Sequence, residues 1–256
     1  MHGDSLFTYA TLFGFLFTLA RISCVFAFLP LAAFRVAPET AKVVLSLAFT
    51  LILWPQWTTK VSADASVGRI VVGMAGEAAM GFAIGLALAF VLEVFQIAAQ
   101  VVGLQAGFGF ASTIDPNSGA DSTVLLTIAQ LTAGLLFFVT GADRLLIRAL
   151  ADSLRLCPPE SFVIRKNWAE ALIRFSASIF SNGLRLAAPV AALLLLADAS
   201  LAVLGRVQAQ IQLVSLTMPV KLAATMLLLG ATLAFQPGFF ESSMMTCIRL
   251  IEGMLR

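Results

Sequence analysis

Few side chains in this sequence could do catalytic chemistry. There is one histidine, His2, and the three cysteines, Cys24, Cys157 and Cys247, lie far apart with no CxxC spacing. Zinc and haem sites need several such ligands at set spacings, so neither a metal nor any other cofactor is expected. A Ser-His-Asp or Cys-His mechanism would have to use His2, in the least ordered part of a typical chain. With no acid, base and nucleophile set, an enzyme is not expected. Charge is instead placed where it is costly: Arg21, Glu77, Glu93, Arg185 and Asp198 all lie inside long apolar runs. Each must face a partner, another subunit or water. Glu77 and Glu93 are 16 positions apart, which at roughly 100° per residue sets them about 160° apart around a helix. A two-carboxylate proton relay is therefore disfavoured, leaving a structural pair buried against a partner subunit or, alternatively, ion transport.

Three uncharged or amide-rich patterns add to this. From Gly103 to Gly119 runs a glycine-rich stretch with Gln105, Gly107, Phe108, Gly109 and Phe110, ending in Asp115-Pro116-Asn117-Ser118-Gly119. Gly103 and Gly107 are spaced GxxxG, which admits close backbone approach, and the end is turn chemistry. A helix end followed by a compact loop is expected. Such an apolar loop either fills a passage, as hydrophobic constrictions close pores by dewetting, or is a surface connection between helices. Gly73, Gly76, Gly81 and Gly85 form a small-residue ladder that argues for tight helix packing. Between Arg206 and Lys221, Gln208, Gln210 and Gln212 followed by Pro219 look like the polar tip of a helical hairpin. That tip meets a sister chain or is an ordinary solvated turn.

The elements that must carry these residues follow from composition. The 256 residues are 60% hydrophobic and 12% charged, with a mean hydropathy of +0.97, far more apolar than a soluble domain. Disorder is excluded on the same ground. A net charge of +2, thinly spread, offers no basic patch for a phosphate backbone, so nucleic acid is not an expected partner. Six hydrophobic segments run at about Leu6–Phe34, Ala41–Trp57, Ile70–Val101, Thr123–Ala142, Phe175–Leu204 and Leu213–Phe235, each near or above the roughly 20 residues that cross a bilayer. The first, third and fifth are too long for one straight crossing and are expected to be kinked, broken or partly outside lipid. The apolar start is too long for a signal peptide and lacks a basic leader, so it is expected to be retained. The stretch 143–174 is rich in arginine, whereas 102–122 has no Lys or Arg. The positive-inside rule then gives six crossings with both termini cytoplasmic, but strands Arg206 and Lys221 on the wrong side.

Taken in order, Arg21-Ile22-Ser23 to Leu29-Pro30-Leu31, Glu77 with Gly81 and Gly85, Gly103-Leu104-Gln105 to Asp115-Pro116, Gly141, Ser153, the diproline Pro158-Pro159, then Arg206, Gln210, Met218-Pro219 and Lys221 carry a likeness. Over essentially its whole length the chain resembles the FliR/SctT (SpaR) family of export-gate subunits in type III secretion, on its flagellar side. It departs from that family's pattern at Ala142, Ala209, Gln212 and Thr217. The resemblance implies an all-α integral membrane-type protein of about six long, partly broken hydrophobic helices. It also implies a FliP-like helical part over 1–170, with a plug loop near 103–122, and a FliQ-like helical hairpin with a C-terminal tail over 171–256. It implies one copy that closes a ring of FliP-like chains, surrounded by FliQ-like hairpins, beside FlhB-like and FlhA-like export components. Unfolded secreted proteins would pass through the channel, and the site would be the bacterial inner membrane at the flagellar basal body. On this resemblance the plug comprises Gly103, Gln105, Gly107, Phe108, Gly109, Phe110, Asp115 and Pro116. Subunit contacts fall to Arg21, Glu77, Gly81, Gly85, Arg206, Gln210, Gln212, Pro219 and Lys221. The alternative is a small secondary transporter, suggested by broken helices and intramembrane charge.

Overall fold

Apolar runs of this length satisfy their backbone groups by coiling into helices, since lipid offers no hydrogen bonds. The computed structural model describes residues 9–31, 38–53, 66–108, 123–159, 166–207 and 213–255, and every regular element among them is a helix. In chain order these are α1 (Tyr9–Phe28), α2 (Glu39–Ile52), α3 (Val67–Ala106), α4 (Thr123–Val139), α5 (Ala142–Leu156), α6 (Lys166–Val207), α7 (Leu213–Thr232) and α8 (Gln236–Leu255).

Three helices are each long and apolar enough to cross a membrane: within α1, over Thr11–Phe28; α3; and within α6, over Trp168–Val203. Up to five crossings result if α4 with α5, and α7 with α8, each form one broken span. The six simple crossings of the hydropathy reading are thus not what the described residues provide. The second segment folds as the 14-residue α2, about 21 Å of helix, well short of a hydrocarbon layer of about 30 Å. The third and fifth segments do not break. α3 runs unbroken for 40 residues and α6 for 42, through Pro189. At about 1.5 Å per residue both are roughly twice the hydrocarbon thickness, so each extends beyond it. The first segment does break: α1 stops at Phe28, and Leu29 precedes Pro30, a position biased away from helix.

Hydropathy also passes over α5 and α8. α5 is amphipathic, burying Ala142, Leu146, Ala149, Leu150, Ser153 and Leu154 on one stripe at helical spacing. Its opposite side exposes Arg144, Arg148 and Arg155. The basic stretch read as a polar connection is therefore partly a helix with a buried face.

Packing groups the chain into two compact units, each built from separate stretches of sequence. The first comprises Met1–Val91, Phe137–Ser176 and Ser242–Arg256, the second Leu92–Leu136 and Ala177–Glu241. In the first unit Phe17, Ile22, Met80, Leu88, Leu150, Leu154 and Ile251 are fully buried, and the Phe28 and Phe82 rings meet edge to face at 4.6 Å, a favoured aromatic geometry. In the second, Ala98, Val102, Ala106, Ala187, Val190 and Leu194 form a core of small and branched side chains. A mostly apolar cavity of about 250 Å³ beside it is bordered by Phe95, Leu125, Val190, Leu229 and Gln236.

Candidate functional site

The glycine ladder dictates how α1 meets α3. A Cβ built on Gly81 would collide with the Arg21 carbonyl oxygen, and one on Gly85 would sit 3.0 Å from that of Val25. Backbone therefore lies on backbone, as GxxxG spacing allows. This contact fixes where the Arg21 side chain starts.

Arg21 is fully buried, and so is Glu77 one helical turn before Gly81. Arg21 Nε donates to Glu77 Oε2 at 2.6 Å, with Nη2 at 2.6 Å from the same oxygen. Nη1 donates to Ser153 Oγ at 3.2 Å, and Nη2 to the Cys157 carbonyl at 2.9 Å. The Ser153 hydroxyl in turn donates a hydrogen bond to the Leu150 carbonyl at 2.8 Å. One guanidinium thus joins α1, α3 and the end of α5, which is the kind of multiple satisfaction a buried ion needs. Where the sequence assigned Arg21, Glu77, Gly81 and Gly85 to contacts with other subunits, the structure gives each of them a neighbour inside the chain.

In the second unit, the root of the glycine-rich stretch is defined by its stop signal. α3 ends at Ala106, and Gly107 follows with φ +86°, a left-handed conformation that glycine adopts without cost. The Gly107 N–H donates to the Leu104 carbonyl at 3.2 Å, and the Phe108 N–H reaches back to Gly103 at 3.0 Å. This pair of bonds is a Schellman cap. Phe108 packs against the small-residue core, so it anchors the root and does not project freely. Gly109, Phe110, Asp115 and Pro116 lie outside the described residues.

The same root is held by charge. Gln105 Nε2 donates to Asp198 Oδ2 at 3.0 Å, while Asp198 Oδ1 lies 2.7 Å from Lys221 Nζ. Lys221, expected at a subunit contact, has this carboxylate as a neighbour inside the chain. Asp198 was recognised only as a costly charge. Its signal was symmetry, for Asp198 and Lys221 are equidistant from position 209–210, the tip of the expected hairpin. Glu93 likewise has a polar chain that the sequence reading missed: Gln96 Nε2 donates to it at 2.5 Å, and Gln130 Nε2 donates to Gln96 Oε1 at 2.8 Å.

Other candidates remain open to the outside. Arg206 at the end of α6 and Pro219 inside α7 are exposed, and Gln210 and Gln212 lie outside the described residues. Arg185 is exposed on α6 and forms no ion pair with another described residue. Only 17% of the apolar window of α6 is buried, with Ile173, Phe180, Leu195 and Leu196 all more than half exposed.

Comparison with known proteins converges on one family. The model described as bacterial export proteins, family 1, matches residues 12–247. The chain is 28% identical over 244 residues to the flagellar biosynthetic protein FliR of Pectobacterium carotovorum subsp. carotovorum, covering 94% of this chain and 92% of that one. It is 26% identical over 237 residues to the flagellar biosynthetic protein FliR of Escherichia coli strain K12, covering 93% and 90%. With the surface presentation of antigens protein SpaR of Salmonella typhimurium it shares 26% over 210 residues, covering 82% and 79%.

Proposed function

Since the chain belongs to the bacterial export proteins, family 1, we propose that it is a flagellar biosynthetic protein of the type III export apparatus. In this reading it helps form and close the channel through which unfolded flagellar substrates leave the cell. The observation that carries this is likeness along nearly the full length, 94% of this chain, to a flagellar relative. A small secondary transporter gains nothing from that match. The chain works without an enzymatic step, in the bacterial inner membrane at the flagellar basal body. There it packs among FliP-like and FliQ-like subunits, next to FlhB-like and FlhA-like components.

Two features support the assembly part. The face of α6 that stays uncovered is apolar and carries Arg185 and, at its end, Arg206, which suits coverage by other helices with an acidic or carbonyl partner. The amide-rich tip with Gln210, Gln212 and Pro219 supplies further donors and acceptors to neighbours. Closure falls to the stretch from Gly103 to Pro116: its root is capped and anchored, and its apolar Gly109 and Phe110 follow directly. Such a segment blocks water and ions by dewetting and yields to a polypeptide pushed from one side.

The test is the native mass of the complex recovered by a tag on this chain, co-expressed with its FliP-like and FliQ-like neighbours. One copy among several of each is expected. A lone monomer or homodimer in their presence overturns the reading. In the same cells, deleting 109–122 is expected to raise ion leakage, and unchanged permeability with normal secretion refutes closure by this segment.

A further inference from the structure

The carboxylate of Asp198 accepts from two directions, and its two donors sit on different helices. Lys221 Nζ on α7 lies 2.7 Å from Oδ1, and Gln105 Nε2 on α3 lies 3.0 Å from Oδ2. The Lys221 side chain is only 12% exposed and that of Asp198 38%. A cation so nearly enclosed beside apolar helices needs its counter-charge, so Lys221 holds the Asp198 carboxylate in place. A carboxylate fixed in this way gives the bond from Gln105 a defined direction. The grip on Gln105 therefore depends on Lys221, although no bond joins those two.

Gln105 stands two residues before the left-handed Gly107. The Schellman bonds of that turn are local to α3, and the packing of Phe108 is apolar and tolerates sliding. The Gln105–Asp198 bond alone among these is a directional tie to another helix. We propose that Asp198 is a positioning residue that ties the carboxyl end of α3 to α7 through Gln105 and Lys221, and so holds the root of the closing segment in one place. This rests on the reading of that segment as the closure of the channel.

The test uses the complete export complex in cells, with ion leakage and recovery of the complex both measured. Variants are Gln105→Leu, Lys221→Met and their combination, beside the deletion of 109–122. Gln105→Leu keeps the Asp198–Lys221 pair and is expected to raise leakage several-fold toward the level of the deletion, with recovery unchanged. Lys221→Met is expected to leak similarly, and the combination no more than either alone, because both act through one carboxylate. If Lys221→Met is not recovered, Gln105→Leu decides. Leakage at the wild-type level in Gln105→Leu, while the deletion leaks, overturns the tie and leaves the closure standing. Additive leakage in the combination also overturns it. A deletion that does not leak removes the closure reading and this proposal with it.

Discussion

The Arg21–Glu77 pair gives the sharpest quantitative expectation. Arg21→Met leaves the Glu77 carboxylate at 0% exposure without its cation. Removing one member of a buried pair costs about 3–5 kcal/mol, a large part of a total stability of about 5–15 kcal/mol. Glu77→Leu is expected to be somewhat milder, because the guanidinium keeps Ser153 Oγ and the Cys157 carbonyl as acceptors. Arg21→Met combined with Glu77→Leu removes both charges, and the chief remaining loss is the donor to the Cys157 carbonyl, at about 1–3 kcal/mol. The double variant should thus be more stable than Arg21→Met alone by about 2 kcal/mol, roughly 30-fold in the folded-to-unfolded ratio. Cys247, fully buried in the same packing unit, reports this through its rate of alkylation, resolved by mass spectrometry on the purified chain in detergent. Labelling that follows opening tracks the population of the open form. Cys247 in the double variant should react about 30-fold more slowly than in Arg21→Met, by the same factor. If it reacts as fast or faster, the pair is not held by mutual neutralisation and the argument fails.

Gly81→Ala forces a methyl onto the Arg21 carbonyl and is expected to cost at least the 1–3 kcal/mol typical of overpacking. Gly85→Ala should cost less and Gly230→Ala nothing, since a Cβ at Gly230 meets no atom within 4 Å; a reversed order in thermal unfolding would contradict the packing described. Gly107→Ala places a side chain at φ +86° and should destabilise by about 1–2 kcal/mol, with Gly107→Asn intermediate because asparagine tolerates that region. Equal stabilities would sink the cap assignment. Arg206→Glu, at an exposed position, should leave the chain's own unfolding unchanged while lowering recovery of the complex, and normal recovery would remove Arg206 from the subunit contacts.

Helical character, the glycine approach and a helix end within the glycine-rich stretch were legible because each has a local cause: backbone satisfaction in lipid, GxxxG spacing, and glycines followed by turn residues. The partners of the charges were less legible. Arg21 and Glu77 are 56 positions apart and Arg21 and Ser153 are 132 apart, distances at which periodicity says nothing about proximity. Costly charge was correctly recognised as needing a partner, but hydropathy could not tell a partner within the chain from one outside it. For the third and fifth segments the sequence left kinking, breaking and extension beyond lipid open; α3 and α6 run unbroken, because tertiary neighbours keep glycines and a proline helical when they can fill the gaps.

The uncovered face of α6 has a consequence for the life of the protein before assembly. A newly inserted copy without its neighbours presents Ile173, Phe180, Leu195 and Leu196 to lipid at little cost, yet it also holds exposed Arg185 in the same apolar window. A guanidinium at mid-bilayer costs about 2.5–3.5 kcal/mol on insertion scales. In the proposed assembly a partner covering the helix relieves that cost, so a copy expressed without its neighbours is expected to have a shorter half-life in a pulse-chase than one held in the complex.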